Sequence, residues 1–398
     1  MSIEMTKLSK VLFLITIMLS SVMIMGELVI VPITYNLFDA FPNDRGVVNT
    51  IVSIPMMAMI FSSLLASVLL RKISKKTLLI IGGTMFAVCS ILGAAVDNVW
   101  YMLVMRIPYG IGIAFVNVAA VALIAEVYSD EKKRAAIMGY YYAFISLSGI
   151  VITLVAGSLA VSFWKNAYFT YWSVIPIVIM FVFFLPNIKP VEQEVKRVQG
   201  QKSDPLGSKF WIMIANFIVY NIVYGYAMYF ISSYSIENNL GNTAFVGILS
   251  AITTLGSFIL CATFGQIYKK MVKWTIIPSY ALSCISMLTL YLYPSSITVI
   301  VACLIMGASY GLAISYSYAH LPLLVPQKRI DDAIGVVTAS YSLGNFATSY
   351  LVTGIMLVLG TNNVTSVCIV FAGFAVIYTA IQFLVSRNED EIAVDQAI

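Results

Sequence analysis

The sequence predicts an all-α polytopic membrane protein, with 12 transmembrane helices in two pseudo-symmetric six-helix bundles. Three observations carry this prediction. Only 10% of the 398 residues are charged and 60% are hydrophobic, whereas a soluble domain carries about 25% charge. The mean hydropathy is +0.93, and the apolar residues fall in runs close to the ~20 that cross a bilayer core. Segments of the first half also recur in the second.

Taken in order, helices 1 to 6 are expected over residues 10–33, 47–70, 77–96, 99–124, 135–162 and 166–186. Helices 7 to 12 follow at 210–233, 243–266, 274–292, 297–324, 333–358 and 364–386. Helix 1 comes after MSIEMTKLSK with no small-residue cleavage site, so it reads as a retained span and not a signal peptide. Several runs exceed ~20 residues, which allows tilt. After helix 6 comes the longest polar stretch, NIKPVEQEVKRVQGQKSDPLGSK (187–209), with Pro190, Pro205 and Gly207 as a linker would have. It divides the chain into an N-terminal bundle (1–187), a cytoplasmic linker (188–209) and a C-terminal bundle (210–398).

The halves read as repeats. LLRKISKKTLLIIGG (69–83) joins helices 2 and 3, and IYKKMVKWTIIPSY (267–280) joins helices 8 and 9, about 198 residues later. KKRAAIMGYYYAFISLSG (132–149) and RIDDAIGVVTASYSLGN (329–345) form a second pair near the same offset. Repeated helix groups mark transporters, with a substrate site near the midplane.

Basic residues set the orientation. With the N-terminus in the cytoplasm, about twenty of the 23 basic residues lie in cytoplasmic segments. Arg45 and Lys165 face outward, and Arg106 alone is left inside an apolar run. Both termini are therefore expected inside, in a multi-pass protein of the cytoplasmic membrane. The net charge of +5 follows from this bias and gives no reason to invoke nucleic acid. The five cysteines lie in apolar runs without metal-ligand spacing or a disulfide framework. The sequence offers no Ser/His/Asp set, phosphate-cradling glycine loop, metal cluster or nucleotide-binding segment. No enzyme, cofactor or metal is expected, and transport would be secondary, driven by gradients.

The arrangement resembles the major facilitator superfamily over essentially the whole chain. That family's loop between helices 2 and 3 reads roughly G-x-x-x-D-R-x-G-R-R. The matching positions here are Ser67, Arg71, Lys72, Ser74, Lys75 and Lys76, which keep the basic positions and replace the Gly, the Asp and the second Gly. The helix-4 motif R-x-x-x-G-x-G is present as Arg106, Gly110 and Gly112, and the following E…R…G pattern as Glu126, Arg134 and Gly139. The helix-5 motif of many proton-coupled drug antiporters survives only as Gly149 and Gly157. The resemblance implies two bundles rocking around a central site lined by helices 1, 4, 7 and 11. It also implies that the end of helix 2 meets the start of helix 11. Here the family's Asp is Arg71, while Asp331 and Asp332 open helix 11. The charges are therefore expected in exchanged positions, with Arg71 or Lys72 drawn to Asp331 or Asp332 at a cytoplasmic gate that also includes Glu126 and Arg134.

Two charges lie within the spans, Glu27 in helix 1 and Arg106 in helix 4. Intramembrane charges are rare and expensive, so each is a functional hypothesis. Both lie about seven residues from the outer ends of their helices, which at 1.5 Å per residue is ~10 Å deep. They are expected to be able to pair, as a proton or substrate switch or as a fixed strut between helices. Polar stripes at helical spacing add Asn117 on helix 4, Tyr220, Asn221 and Tyr224 on helix 7, and Tyr341 and Asn345 on helix 11. Such residues face the cavity or serve as interhelical hydrogen-bond glue. Some of the 24 tyrosines and 22 phenylalanines could stack on substrate. His320, the single histidine, reads as a hydrogen-bonded helix-end residue.

The expected function is alternating-access transport of a small organic compound by a monomer in the bilayer, coupled to a proton or to sodium. Efflux of partly apolar or aromatic compounds leads. Uptake or exchange of a small organic anion held by Arg106 is the alternative, and a non-transporting membrane sensor is a remote third.

Overall fold

The computed structural model describes residues 7–30, 33–188, 206–240, 243–361 and 363–395. Most of the expected linker lies outside the described residues. Among them the chain is helical throughout, with no strand. The helices are α1 (Lys7–Ile24), α2 (Thr34–Ala40), α3 (Arg45–Leu69), α4 (Lys75–Leu92), α5 (Val99–Val127), α6 (Glu131–Ala160) and α7 (Val174–Phe184). The remainder are α8 (Ser208–Tyr229), α9 (Ile231–Glu237), α10 (Thr243–Met271), α11 (Ile276–Leu292), α12 (Ser296–Ala319), α13 (Leu321–Leu324), α14 (Ile330–Leu359) and α15 (Thr365–Asp395).

Each of the 12 expected segments overlaps one of these helices. Nine stretches of the described residues are long and apolar enough to cross a membrane, and one of them, Phe245–Leu292, holds both α10 and α11 in 48 residues. The sequence at the helix starts explains several boundaries. Ser74 accepts the Thr77 backbone N–H at 3.1 Å to cap α4, and Asn98 Oδ1 accepts those of Trp100 and Tyr101 to cap α5. Asp130 Oδ1 accepts the Lys133 N–H at 2.8 Å to start α6. Each cap satisfies donors that the first helical turn leaves open.

Two expected helices are not uniform. Helix 1, expected unbroken over 10–33, stops at Ile24 and continues as a 3₁₀ turn, Gly26–Val29, which carries Glu27. The Gly26 carbonyl is taken by the Tyr171 hydroxyl at 3.0 Å. Helix 6 begins as a ten-residue 3₁₀ segment, Trp164–Ser173, before α7. Three residues per turn align positions i and i+3. Tyr168 and Tyr171 thus share the buried face, and Phe169 and Trp172 the exposed one.

By internal contacts the chain forms two compact units. The first contains residues 1–129, 144–206 and 325–342. In it α5 lies against α3 and α4 at van der Waals closeness. A Cβ on Gly110 would stand 2.7 Å from the Pro55 carbonyl, and one on Gly112 would stand 2.7 Å from the Gly82 carbonyl. The spacing R-x-x-x-G-x-G therefore clamps the helix that carries Arg106 within two turns of the charge. The second unit contains residues 130–143, 207–324 and 343–398. Its seam between α10 and α12 depends on Gly307, where a Cβ would overlap the Thr253 carbonyl.

The repeat is visible in the packing of each unit by itself. In the second unit Gly139 of α6 presses on the Cys261 carbonyl of α10, and in the first Gly335 of α14 presses on the Ser63 carbonyl of α3. Each member of one pair lies about half a chain length from its counterpart in the other.

Gly307→Ala is expected to lower stability by about 1–3 kcal/mol, because the added methyl meets backbone that cannot move aside. Gly354→Ala, at a position with open space around it, is expected to leave the melting temperature of the detergent-purified protein unchanged or slightly raised.

Candidate functional site

Arg106 is 6% exposed on α5. Its guanidinium carbon lies 4.5 Å from the centre of the Tyr109 ring, one turn on. A desolvated cation over an aromatic face gains on the order of 2 kcal/mol. Tyr109 packs against Phe86 at 4.7 Å and Tyr171 at 6.0 Å, and Tyr171 against Tyr168 at 5.6 Å. The 3₁₀ geometry of residues 164–173 brings both phenols to this cluster. Tyr171 then ties the cluster to the turn bearing Glu27 through the Gly26 carbonyl. Glu27 and Arg106 interact electrostatically but form no ion pair within 4.0 Å; the face of Tyr109 occupies the guanidinium instead. Arg106 Nε and the Tyr109 hydroxyl are buried without hydrogen-bond partners.

The end of the first unit carries a second set of charges. Arg71 donates from Nε and Nη2 to the two carboxylate oxygens of Asp332 at 3.1 and 2.6 Å, and Arg329 Nε donates to the same carboxylate at 3.3 Å. Lys75 bridges Glu126 at 3.1 Å and Asp331 at 3.2 Å. Lys72 is exposed and makes no such pair. Asp331 and Asp332 lie in the first turn of α14, where negative charge complements the helix dipole. Lys75 was quoted in the loop motif, yet its bridging position depends on how α4, α5 and α14 converge, which no local pattern reports.

In the second unit Arg134, 5% exposed, lies in the field of Glu131, Asp130 and Tyr268. The Tyr268 hydroxyl is 2.9 Å from both Glu131 Oε1 and His320 Nδ1. A phenol has one hydrogen, and with the carboxylate accepting it, His320 Nδ1–H donates to the phenol oxygen. His320 stacks on Tyr316 at 4.8 Å. Burial, with Arg134 and Lys273 nearby, pushes its pKa down to about 4.

The other sequence-selected residues are distributed as follows. Asn117 is buried and its amide oxygen has no partner. Tyr220 is fully buried, bonded to Ser309 at 2.9 Å and stacked on Tyr280. Asn221 donates to the Phe217 carbonyl at 2.7 Å and packs on Gly344. Tyr224 stacks on Tyr310, with ring centres 4.0 Å apart and planes 12° from parallel. Asn345 is buried and Tyr341 partly exposed. Tyr109, Tyr168, Tyr171 and Tyr310 were missed as individual residues. Tyr109 shares α5 with Arg106, but nothing in the sequence separates these four from the many other tyrosines.

A family model described as Major Facilitator Superfamily matches residues 12–349 and 236–395. The chain belongs to the Major Facilitator Superfamily. As a superfamily member it is a secondary transporter of small molecules in a lipid bilayer and not an enzyme. An uncharacterized MFS-type transporter of Methanocaldococcus jannaschii is 22% identical over 284 residues, spanning 68% of this chain and 72% of that protein. The crystal structure of the human organic anion transporter MFSD10 (TETRAN) matches with a TM-score of 0.80 at 11% identity, covering 93% of this chain and 99% of that one. The proton:xylose symporter XylE, bound to 6-bromo-6-deoxy-D-glucose, matches with a TM-score of 0.70 at 13% identity over 94% of both chains. At such identities the two structures show the superfamily fold.

Two outcomes follow from this geometry. Lys75→Met is expected to cost about 1–3 kcal/mol, since it leaves two carboxylates facing each other without their cation, whereas Lys72→Met should change melting by less than about 0.5 kcal/mol. His320 binds a proton less readily folded than unfolded. Stability should be full above pH 6.5 and fall as the pH drops toward about 4, and His320→Gln should flatten that part of a melting-temperature profile.

Proposed function

We propose that this transporter exports small, partly apolar or aromatic organic compounds in exchange for protons, and that Glu27 carries the proton. The observation that carries this reading is the placement of Glu27 on the 3₁₀ break of helix 1, tied by Tyr171 to a buried, permanently charged Arg106. A carboxyl's proton affinity responds to burial and to a nearby cation, so any motion that changes its distance from Arg106 loads or unloads it. The break supplies a joint at which that motion can occur.

In this reading the N-terminal bundle (1–187) and the C-terminal bundle (210–398) alternate around a substrate site. Tyr224, Asn117, Tyr341 and Asn345 contribute to that site, and Tyr220 and Asn221 hold the wall behind it. Both termini and the Arg71–Asp332, Lys75–Asp331 and Lys75–Glu126 pairs lie on the cytoplasmic side, where basic residues concentrate. These pairs close the path when formed and part when it opens inward. Lys72 and Arg134 add positive charge at the same level, and the working unit is a monomer.

One observation favours a second reading, transport of a small organic anion. Arg106 lacks a contact carboxylate and keeps an unpartnered N–H, and MFSD10, of the same fold, is titled an organic anion transporter.

The discriminating measurement uses the protein in proteoliposomes with an imposed pH gradient, after a thermal-shift screen has identified a stabilising compound. Glu27→Gln should abolish gradient-driven accumulation while the compound still stabilises the protein. Full gradient-driven activity in that variant would sink the proton-carrier role. Stabilisation by carboxylates that vanishes in Arg106→Ala would establish the anion reading in its place.

A further inference from the structure

At one end of the second unit, where α8 begins and α10 and α12 finish, lies an open cleft of about 560 Å³. That is within the ~300–1,000 Å³ of sites for small molecules. Two half-buried lysines, Lys209 and Lys273, line it together with the buried His320, and the described lining holds no carboxylate. Lys273 is close enough to act on the imidazole electrostatically. Tyr268 takes His320 Nδ1, so Nε2 is the ring nitrogen left for the cleft. It makes no hydrogen bond among the described residues, and with the proton on Nδ1 it is a bare acceptor. Gly207 stands at the N-cap of α8 and has no side chain to offer, so the first-turn N–H groups gain no acceptor from the cap. The rest of the lining is apolar. Leu323 is 50% exposed, and the exposed Val272 is held at a left-handed φ of +44°, a strained conformation for a β-branched residue. Such strain gathers at binding sites. One turn into α8, Trp211 is half exposed, as at a membrane–water boundary.

We propose that this cleft binds the headgroup of an anionic phospholipid that carries hydroxyls, with Lys209 and Lys273 on the phosphate and His320 Nε2 accepting from a headgroup hydroxyl. Two ammonium groups beside open N–H donors at a helix start select a phosphate. Basic recesses between the ends of spanning helices are where such headgroups lodge. The apolar rim separates a lipid from a free phosphate ester, since only a lipid has acyl chains to lay on Leu323 and Val272. A zwitterionic headgroup would bring its own cation toward the lysines and is disfavoured. The cleft lies wholly within the second unit, and the site does not depend on what is transported or on whether Glu27 carries a proton.

The test uses the full-length protein in detergent, without transport. Melting is followed as phosphatidylglycerol, phosphatidylcholine or soluble glycerol phosphate is added at constant ionic strength. Saturable stabilisation by phosphatidylglycerol is expected, with little by phosphatidylcholine and none by glycerol phosphate at the same concentration. Lys209→Gln combined with Lys273→Gln should weaken the apparent affinity roughly twenty-fivefold, about fivefold for each ammonium lost. Lys269→Gln combined with Lys270→Gln removes two exposed charges from the last turn of α10, outside the lining, and should weaken it less than about threefold, because exposed charges are screened. Gly207→Asp places its side chain in open space and caps α8 with a carboxylate. It should raise the melting temperature without lipid and abolish the response to lipid. Equal stabilisation by both lipids, a full response to glycerol phosphate, equal losses in the two double variants, or an intact lipid response in Gly207→Asp would each overturn the site. A failure of Glu27→Gln to impair export bears on the proposed function alone.

Discussion

A permanent charge held out of water organises the first unit. Arg106 cannot be neutralised by losing a proton, so everything around it must make its position tolerable. Gly110 and Gly112 bring α3 and α4 against α5 at backbone distance, which keeps lipid away from the guanidinium. Tyr109 presents its ring to the cation. The two phenols of the 3₁₀ segment fill the space beyond, and one of them reaches back to hold the broken end of helix 1. Removing the charge would leave this arrangement of small residues and phenols without a purpose. Moving it would pull on the turn that carries Glu27.

Electrostatics at the helix ends follow a different logic. In the first unit the start of α14 is held by guanidinium and ammonium groups on its carboxylates. In the second unit the start of α6 is held by a phenol on Glu131, with a neutral imidazole behind it. These are corresponding ends of the two repeats, and the backbone contacts beneath them match, Gly335 on Ser63 and Gly139 on Cys261. The duplicated scaffold has thus kept its close packing and changed its chemistry. Ion pairs across partly exposed side chains respond to salt and to each other, and a buried hydroxyl chain does not.

Much of this was legible from the chain. Hydrophobic run length locates the helices because the bilayer imposes it. The glycine spacing after Arg106 announces a close crossing, and Asp331 and Asp332 at a helix start announce a partner for Arg71. Other features were not legible, for physical reasons. The break after Ile24 goes with a tertiary bond from Tyr171 to the Gly26 carbonyl, which no local pattern reports. The lysine that bridges Glu126 and Asp331 is one of several in a basic loop, and only convergence of three helices selects it. Tyrosines are so common here that polarity and spacing do not tell a residue in the wall, such as Tyr220, from one beside a buried charge, such as Tyr109.

The ten-residue 3₁₀ segment before α7 has a mechanical consequence. At about 2.0 Å per residue it extends roughly 20 Å, where the same residues wound as an α-helix would extend about 15 Å. Rewinding would draw its two ends together by about 5 Å with no change in the number of peptide units. It would also turn Tyr171 about 60° away from Tyr168 around the axis, since the advance per residue falls from about 120° to about 100°. The hydroxyl holding the Gly26 carbonyl would swing off its partner in the same movement. Residues 164–173 would in that movement shorten like a released spring and let go of the 3₁₀ turn of helix 1.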